Sequence, residues 1–126
     1  MINKNFTVEY DRDELMRAIQ LYFNKIVQTR IIHKGGKRGV AVYLSIPVDI
    51  ARKYKIPEKR FRVKFDQNYV IYIEDPDGEY IVKNYGNKRG PAYYLLFPIK
   101  ELPHKTRVLL FIEQEKPLIF RVITPA

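Results

Sequence analysis

Residues Gly35 to Pro47 are repeated in this chain, fifty-one positions later, as Gly86 to Pro98. Eight of the thirteen positions are identical without a gap: Gly35/Gly86, Lys37/Lys88, Arg38/Arg89, Gly39/Gly90, Ala41/Ala92, Tyr43/Tyr94, Leu44/Leu95 and Pro47/Pro98. Ordinary residue usage would produce about one such match by accident. An internal repeat shapes a whole fold, because each copy is one structural unit. Here the unit joins a basic, glycine-rich loop to an apolar strand that ends in proline. The chain therefore presents that loop twice.

The 126 residues suit one ordinary domain, or two very small units sharing a core, and a hydrophobic fraction of 46% is enough to build it. No apolar run is long enough to span a bilayer, and the N-terminal residues lack the layout of a signal peptide. Without cysteine, disulfides, thiolate metal sites and cysteine nucleophiles are excluded. The expectation is a soluble cytoplasmic or nucleoid-associated protein. Its formal charge of +9 is unevenly spread. Residues 31–60 hold eight Lys and Arg against Asp49 and Glu58, which gives that stretch +6. Such a concentration is the footprint expected for binding a polyanion.

Asp11 and Glu14 have capping-box spacing, and Leu15, Ile19, Tyr22, Phe23 and Ile26 follow at helical intervals. This predicts an amphipathic helix over 12–25. Alternation then predicts strands from Val27 to the Gly35-Gly36 loop and over 40–46. Pro47 opens a two-turn helix with Ile50, Ala51 and Tyr54 inward and Asp49, Arg52 and Lys53 outward. Strands follow at 61–65 and 69–73. Asp75-Pro76-Asp77-Gly78 is a turn signal in which glycine is free to take positive φ, and it divides the copies. The second copy predicts strands at 80–83, 92–97, 107–113 and 118–123, with only a turn over 99–103. Matching Val63 to Val108 shortens the offset to 45, so six residues of the helical connection are missing.

In this order of elements the chain resembles the AbrB/SpoVT/MazE swapped-hairpin DNA-binding family. The first copy carries the resemblance best, in GKRGVAVYLSIPVDIARKYKIPEKRFRVKF, with Ser45-Ile46-Pro47, then Ile50 and Arg52, then Ile56. The second keeps the loop, the strand and Phe97-Pro98, and departs by losing most of the helix. In that family two chains interleave hairpins to make one small barrel. The resemblance implies a mostly β fold with an N-terminal α-helix, in which two tandem swapped-hairpin units form one intrachain pseudo-dimeric barrel. The expected divisions are 1–26 for the helical extension, 27–74 for the first copy and 79–124 for the second, both copies sharing one core. The two basic loops would then lie on one face, about an approximate twofold axis that suits duplex DNA.

The candidate nucleic-acid-binding residues are Lys37, Arg38, Lys88 and Arg89 in the loops, flanked by Arg30, Lys34, Arg52, Lys53 and Lys83. Lysine offers a point charge to phosphate, and arginine forks onto phosphate or guanine edges. Tyr43 and Tyr94 could stack on a base, although strand spacing more often makes such residues core or rim. His33 and His104 stand apart from any ligand-spaced cluster, so neither metal binding nor histidine catalysis is expected. GGKRG lacks the ending of a phosphate-binding P-loop, and no catalytic triad or dinucleotide fingerprint is present. The expected protein is a non-enzymatic transcription regulator that binds double-stranded DNA, with no cofactor, membrane or small-molecule substrate. Dimerisation through the N-terminal helix would give four loops. The alternatives are an antitoxin-type interaction module using that helix, and an RNA-binding protein.

Overall fold

The computed structural model describes residues 26–125. The helix expected over 12–25 lies outside the described residues. Among the described residues there are eight strands: β1 (Ile26–Gly36), β2 (Gly39–Ile46), β3 (Arg60–Phe65), β4 (Tyr69–Glu74), β5 (Tyr80–Asn84), β6 (Tyr93–Leu96), β7 (Arg107–Glu115) and β8 (Leu118–Ile123). Between β2 and β3 lie a short helix, α1 (Val48–Lys53), and a 3-10 turn, Ile56–Glu58. All neighbouring strands are antiparallel, and they close a barrel in the order β1-β2-β6-β5-β3-β4-β8-β7.

Period-two alternation explains the closure, since every strand buries one set of side chains. Val42, Leu44 and Ile46 of β2 point inward, as do Val108, Leu110 and Ile112 of β7 and Leu118, Phe120 and Val122 of β8. They join Phe61, Val70, Tyr72, Leu95 and Phe97 in a single cluster. At its centre the Tyr72 and Phe120 rings stack at 4.8 Å, with Phe61 set edge-on to Phe120 at 5.3 Å. The buried Tyr72 hydroxyl donates to Leu96 O at 2.8 Å. That bond satisfies a polar atom which would otherwise be costly inside the barrel.

The ladders correct the expected correspondence between the copies. Thr29 pairs with Val108, while Tyr80, fifty-one residues after Thr29, pairs with Phe61. Phe61 therefore corresponds to Val108, and both are buried. The offset there is 47, so the second copy lacks four residues rather than six. The alignment on Val63 was two positions out, a shift that preserves inward and outward faces and so cannot be detected from alternation.

In α1, Ile50 and Ala51 are buried and Asp49, Arg52 and Lys53 exposed. Pro47 is the residue just before the helix, where its carbonyl accepts from Ala51 N at 2.9 Å. Lys55, left-handed at φ 53° and ψ 38°, ends the run. The second copy has no helix here, and the turn that replaces it is fastened to β1. Lys105 N donates to Ile31 O at 2.7 Å, Ile31 N to Thr106 O at 2.8 Å, and His33 N to His104 Nδ1 at 2.9 Å. His33 Nε2 also donates to Leu102 O at 2.7 Å.

The turn at Asp75–Gly78 forms, but not for the expected reason. Gly78 does not adopt positive φ; only Gly39 and Gly90 do so among the described glycines. Glycine is required because the backbone of Phe61 lies against it. A Cβ built there would fall 2.4 Å from the Phe61 carbonyl carbon and oxygen.

Candidate nucleic-acid interface

Both Lys-Arg pairs occupy the two-residue tips of hairpins. Gly36 pairs with Gly39 around Lys37-Arg38, and Asn87 bridges Gly90 around Lys88-Arg89. The glycine after each pair has φ 112° at Gly39 and 143° at Gly90, a region that side chains oppose. The repeated Lys-Arg-Gly triplet is thus a turn that holds two cations outward, and all four side chains are on exposed residues.

Although matched in sequence, the two loops are built differently. The β1–β2 ladder runs unbroken to the tip. In the second hairpin, Asn84 Oδ1 accepts from Gly86 N at 2.8 Å and Ala92 N at 3.1 Å, and Asn87 Oδ1 accepts from Arg89 N at 2.8 Å. A Cβ on Gly86 would meet Gly90 O at 2.2 Å, whereas Gly35 faces open space.

β2 and β6 run antiparallel with Leu44 opposite Leu95, and this ladder joins the two hairpins. Their tips therefore leave opposite ends of it, up to roughly 40 Å apart for straight strands at ~3.3 Å per residue. Between them the outward-facing side chains form a basic aromatic patch. Lys34, which corresponds to Tyr85 in the repeat, places its Nζ 4.3 Å from the Tyr85 ring centre and 5.3 Å from that of Tyr94. Lys83 lies 6.0 Å from the Tyr43 ring centre. Hydroxyls of Tyr43 and Tyr85 hydrogen-bond at 3.1 Å, tying one hairpin to the other. Tyr43 is outside the core cluster yet buried, because Tyr85 and the lysines cover it. It cannot stack on a base; the exposed ring is Tyr85.

A cavity of about 820 Å³ opens over this patch and is lined by Lys34, Lys37, Arg38, Lys83, Tyr43 and Tyr85 together with the glycines of the first loop. Among the described residues, four cations and no carboxylate line it. The hydrogen bond from Tyr43, aided by the Lys83 and Lys34 ammonium groups, holds the Tyr85 phenol below its ordinary range. The same hydrogen bond, with burial, raises Tyr43.

The remaining candidates lie elsewhere. Lys88 and Arg89 project from the second tip, outside this cavity. Arg30 faces Arg107 across the β1–β7 ladder, in a depression shared with Gln28, Thr29 and Ser45. Arg52 is exposed on α1, and Lys53 lines a second concavity with Lys55, Lys59, Lys116 and Glu74. None of the nine candidates forms an ion pair among the described residues. Sequence reasoning missed Tyr85 and Arg107. Tyr85 could have been found by asking what stands at the position equivalent to Lys34. Among the described residues no three His, Asp or Glu side chains converge as a metal site, and no helix is long and apolar enough to cross a membrane.

Fold and site together define an antiparallel eight-stranded barrel protein with a basic, tyrosine-bearing outer face. Comparison with protein-family models, curated proteins and solved structures returned no match to this chain.

Proposed function

We propose that this chain is a double-stranded DNA-binding regulator built as two tandem swapped-hairpin units of AbrB/SpoVT/MazE type, fused into one pseudo-dimer. In support, the ring order is unchanged when β1, β2, β3 and β4 are exchanged for β5, β6, β7 and β8. In such an exchange the loop-bearing hairpin of each unit pairs with the third strand of the other, as in β1–β7 and β3–β5. The observation that carries the functional reading is the convergence of Lys34, Lys37, Arg38 and Lys83 on one concavity that no carboxylate lines among the described residues. The tip spacing is also of the order of one B-DNA turn, about 34 Å, so both tips could reach phosphates on one side of a duplex.

Phosphate contacts supply most of the affinity in this reading, with Arg38 and Arg89 available to base edges. The test is fluorescence anisotropy with a random-sequence duplex over a range of salt concentrations. Each phosphate neutralised adds about 0.9 to the slope of log K against log salt. Replacing Lys37 and Arg38 by Gln should flatten it by about 2, and Lys88 and Arg89 should give a similar loss. An unchanged slope and affinity in both variants would refute the proposal. A single-stranded RNA of equal length, if it outcompetes the duplex, would assign the same face to RNA.

A further inference from the structure

The ring closes at two seams, β1–β7 and β3–β5, which the repeat makes equivalent. At the first, Arg30 stands directly opposite Arg107. The same position of the second seam holds Ile81 opposite Arg60. Like charges set directly opposite each other destabilise a strand pair. The ring does not need them, since its second seam closes without them. There Arg60 Nε donates to Gly78 O at 2.8 Å. Neither Arg30 nor Arg107 meets a carboxylate among the described residues.

Each seam also carries a depression. Gln28, Thr29, Arg30 and Ser45 line the first together with Arg107, around a volume of about 380 Å³. Glu79, Tyr80, Ile81 and Leu96, the residues fifty-one positions later, line its counterpart together with Lys83. The two depressions correspond residue by residue and differ in chemistry. One brings together two guanidinium groups, an amide and the Ser45 hydroxyl. The other has two aliphatic side chains, a phenol, and a lysine and a glutamate of cancelling charge.

We propose that the β1–β7 depression is a binding site for a phosphate group, held between Arg30 and Arg107. Opposed residues of a strand pair have Cβ atoms ~5 Å apart, which lets both guanidinium groups reach one tetrahedral anion. Each can fork onto two of its oxygens. A dianion between them turns their mutual repulsion into attraction, and Gln28 and Ser45 add uncharged donors. The site occurs at one seam only and shares no lining residue with the cavity over the first loop. It does not rest on the DNA-binding reading. A free phosphomonoester and a phosphate of the DNA backbone present the same group, and experiment separates them.

Inorganic phosphate is titrated at constant ionic strength into the isotope-labelled full chain, and amide chemical shifts are followed by NMR. Saturable shifts are expected at Thr29, Arg30 and Ser45. Arg30→Gln or Arg107→Gln should weaken the binding they report about tenfold, the loss of one charged hydrogen bond. Glu79→Gln combined with Ile81→Arg rebuilds the pair opposite Arg60 and should create a second set of shifts at Tyr80 and Leu96. The salt dependence of duplex binding then identifies the source. A slope flattened by about 0.9 in Arg107→Gln assigns the phosphate to the DNA backbone, and an unchanged slope beside saturable shifts assigns it to a free phosphoanion. Failure of the DNA-binding reading leaves the phosphate titration intact, so the two are told apart. Shifts that persist undiminished in both arginine variants would overturn the proposal. So would the absence of any saturable shift at the seam together with an unchanged slope.

Discussion

Replacing Gly78 by Ala sets two physical arguments against each other. Gly78 does not hold a positive φ. On backbone entropy alone, alanine should therefore stabilise the fold by about 0.4–1 kcal/mol. Packing argues the reverse, because the new Cβ would fall 2.4 Å from the Phe61 carbonyl and 2.7 Å from its nitrogen. Ordinary contact needs about 1 Å more, and neither partner is the end of a flexible side chain. Overpacking costs about 1–3 kcal/mol. Displacement would also stretch the hydrogen bond from Arg60 Nε to Gly78 O, 2.8 Å long. The strain falls on the β3–β5 ladder, whose pairs are Arg60–Ile81 and Phe61–Tyr80, the shortest seam in the ring. With about 1 kcal/mol for the weakened hydrogen bond, a net cost of about 2 kcal/mol follows, or about 8 °C in Tm at ~4 °C per kcal/mol. Gly35→Ala serves as control, since its Cβ meets nothing within 4 Å. Thermal melts of both, with amide exchange at Ile81, decide the matter. If Gly78→Ala melts at or above the wild-type temperature, as Gly35→Ala should, the close-approach argument is wrong.

Lys55 holds a left-handed backbone at φ 53°, where glycine bears no penalty, so Lys55→Gly should raise Tm by about 4 °C for ~1 kcal/mol of relieved strain; no change would mean the conformation is unstrained. Glu74 accepts from Leu118 N at 2.8 Å and Lys59 Nζ at 3.3 Å, and these bonds hold its carboxyl below the ordinary 4.5. Because the folded value is the lower one, its contribution is complete above pH 4.5 and is lost as pH falls through the depressed value. The stability gap between wild type and Glu74→Gln, about 1–2 kcal/mol at pH 7, should accordingly shrink in acid; a gap independent of pH would exclude this role. Tyr85, lowered by the Tyr43 hydrogen bond, should ionise before Tyr43, which the same bond raises. Tyr85→Phe should remove a phenolate step lying below the ordinary tyrosine value from an absorbance titration, and persistence of that step would refute the assignment.

The eight strands were legible because apolar alternation is a local signal, and their edges differ from expectation by only a few residues. The pairing order was not. β1–β7 and β3–β5 join segments about eighty and twenty residues apart, and nothing local in either strand names its partner. A repeat is the one sequence feature that carries such long-range information, and here it pointed to both copies contributing to one ring. Its limits were equally physical. Gly35 and Gly86 are identical letters under different constraints, one open to space and one wedged against Gly90. Tyr85 went unnoticed because its importance lies in contacts with Lys34 and Tyr43, from the other hairpin. Gly78 was identified as a turn residue, but its requirement comes from Phe61, seventeen positions earlier, across the β3–β5 seam.

The ring order also explains why the outer surface has two characters. If each copy closed on itself, every half of the barrel would carry one basic hairpin and one aliphatic hairpin. Because β2 pairs with β6 and β4 with β8, like hairpins lie side by side. The loop-bearing strands then pool Lys34, Tyr43, Lys83 and Tyr85 on one face, and the others set Ile71, Phe111 and Ile119 around the Arg121–Glu113 ion pair on another. The seams β1–β7 and β3–β5 are what hold these two halves together. One of them rests on only two residue pairs and a glycine that accepts no side chain. The pooling of the two loop-bearing hairpins, and any function built on it, therefore depends on a site that lies on neither face.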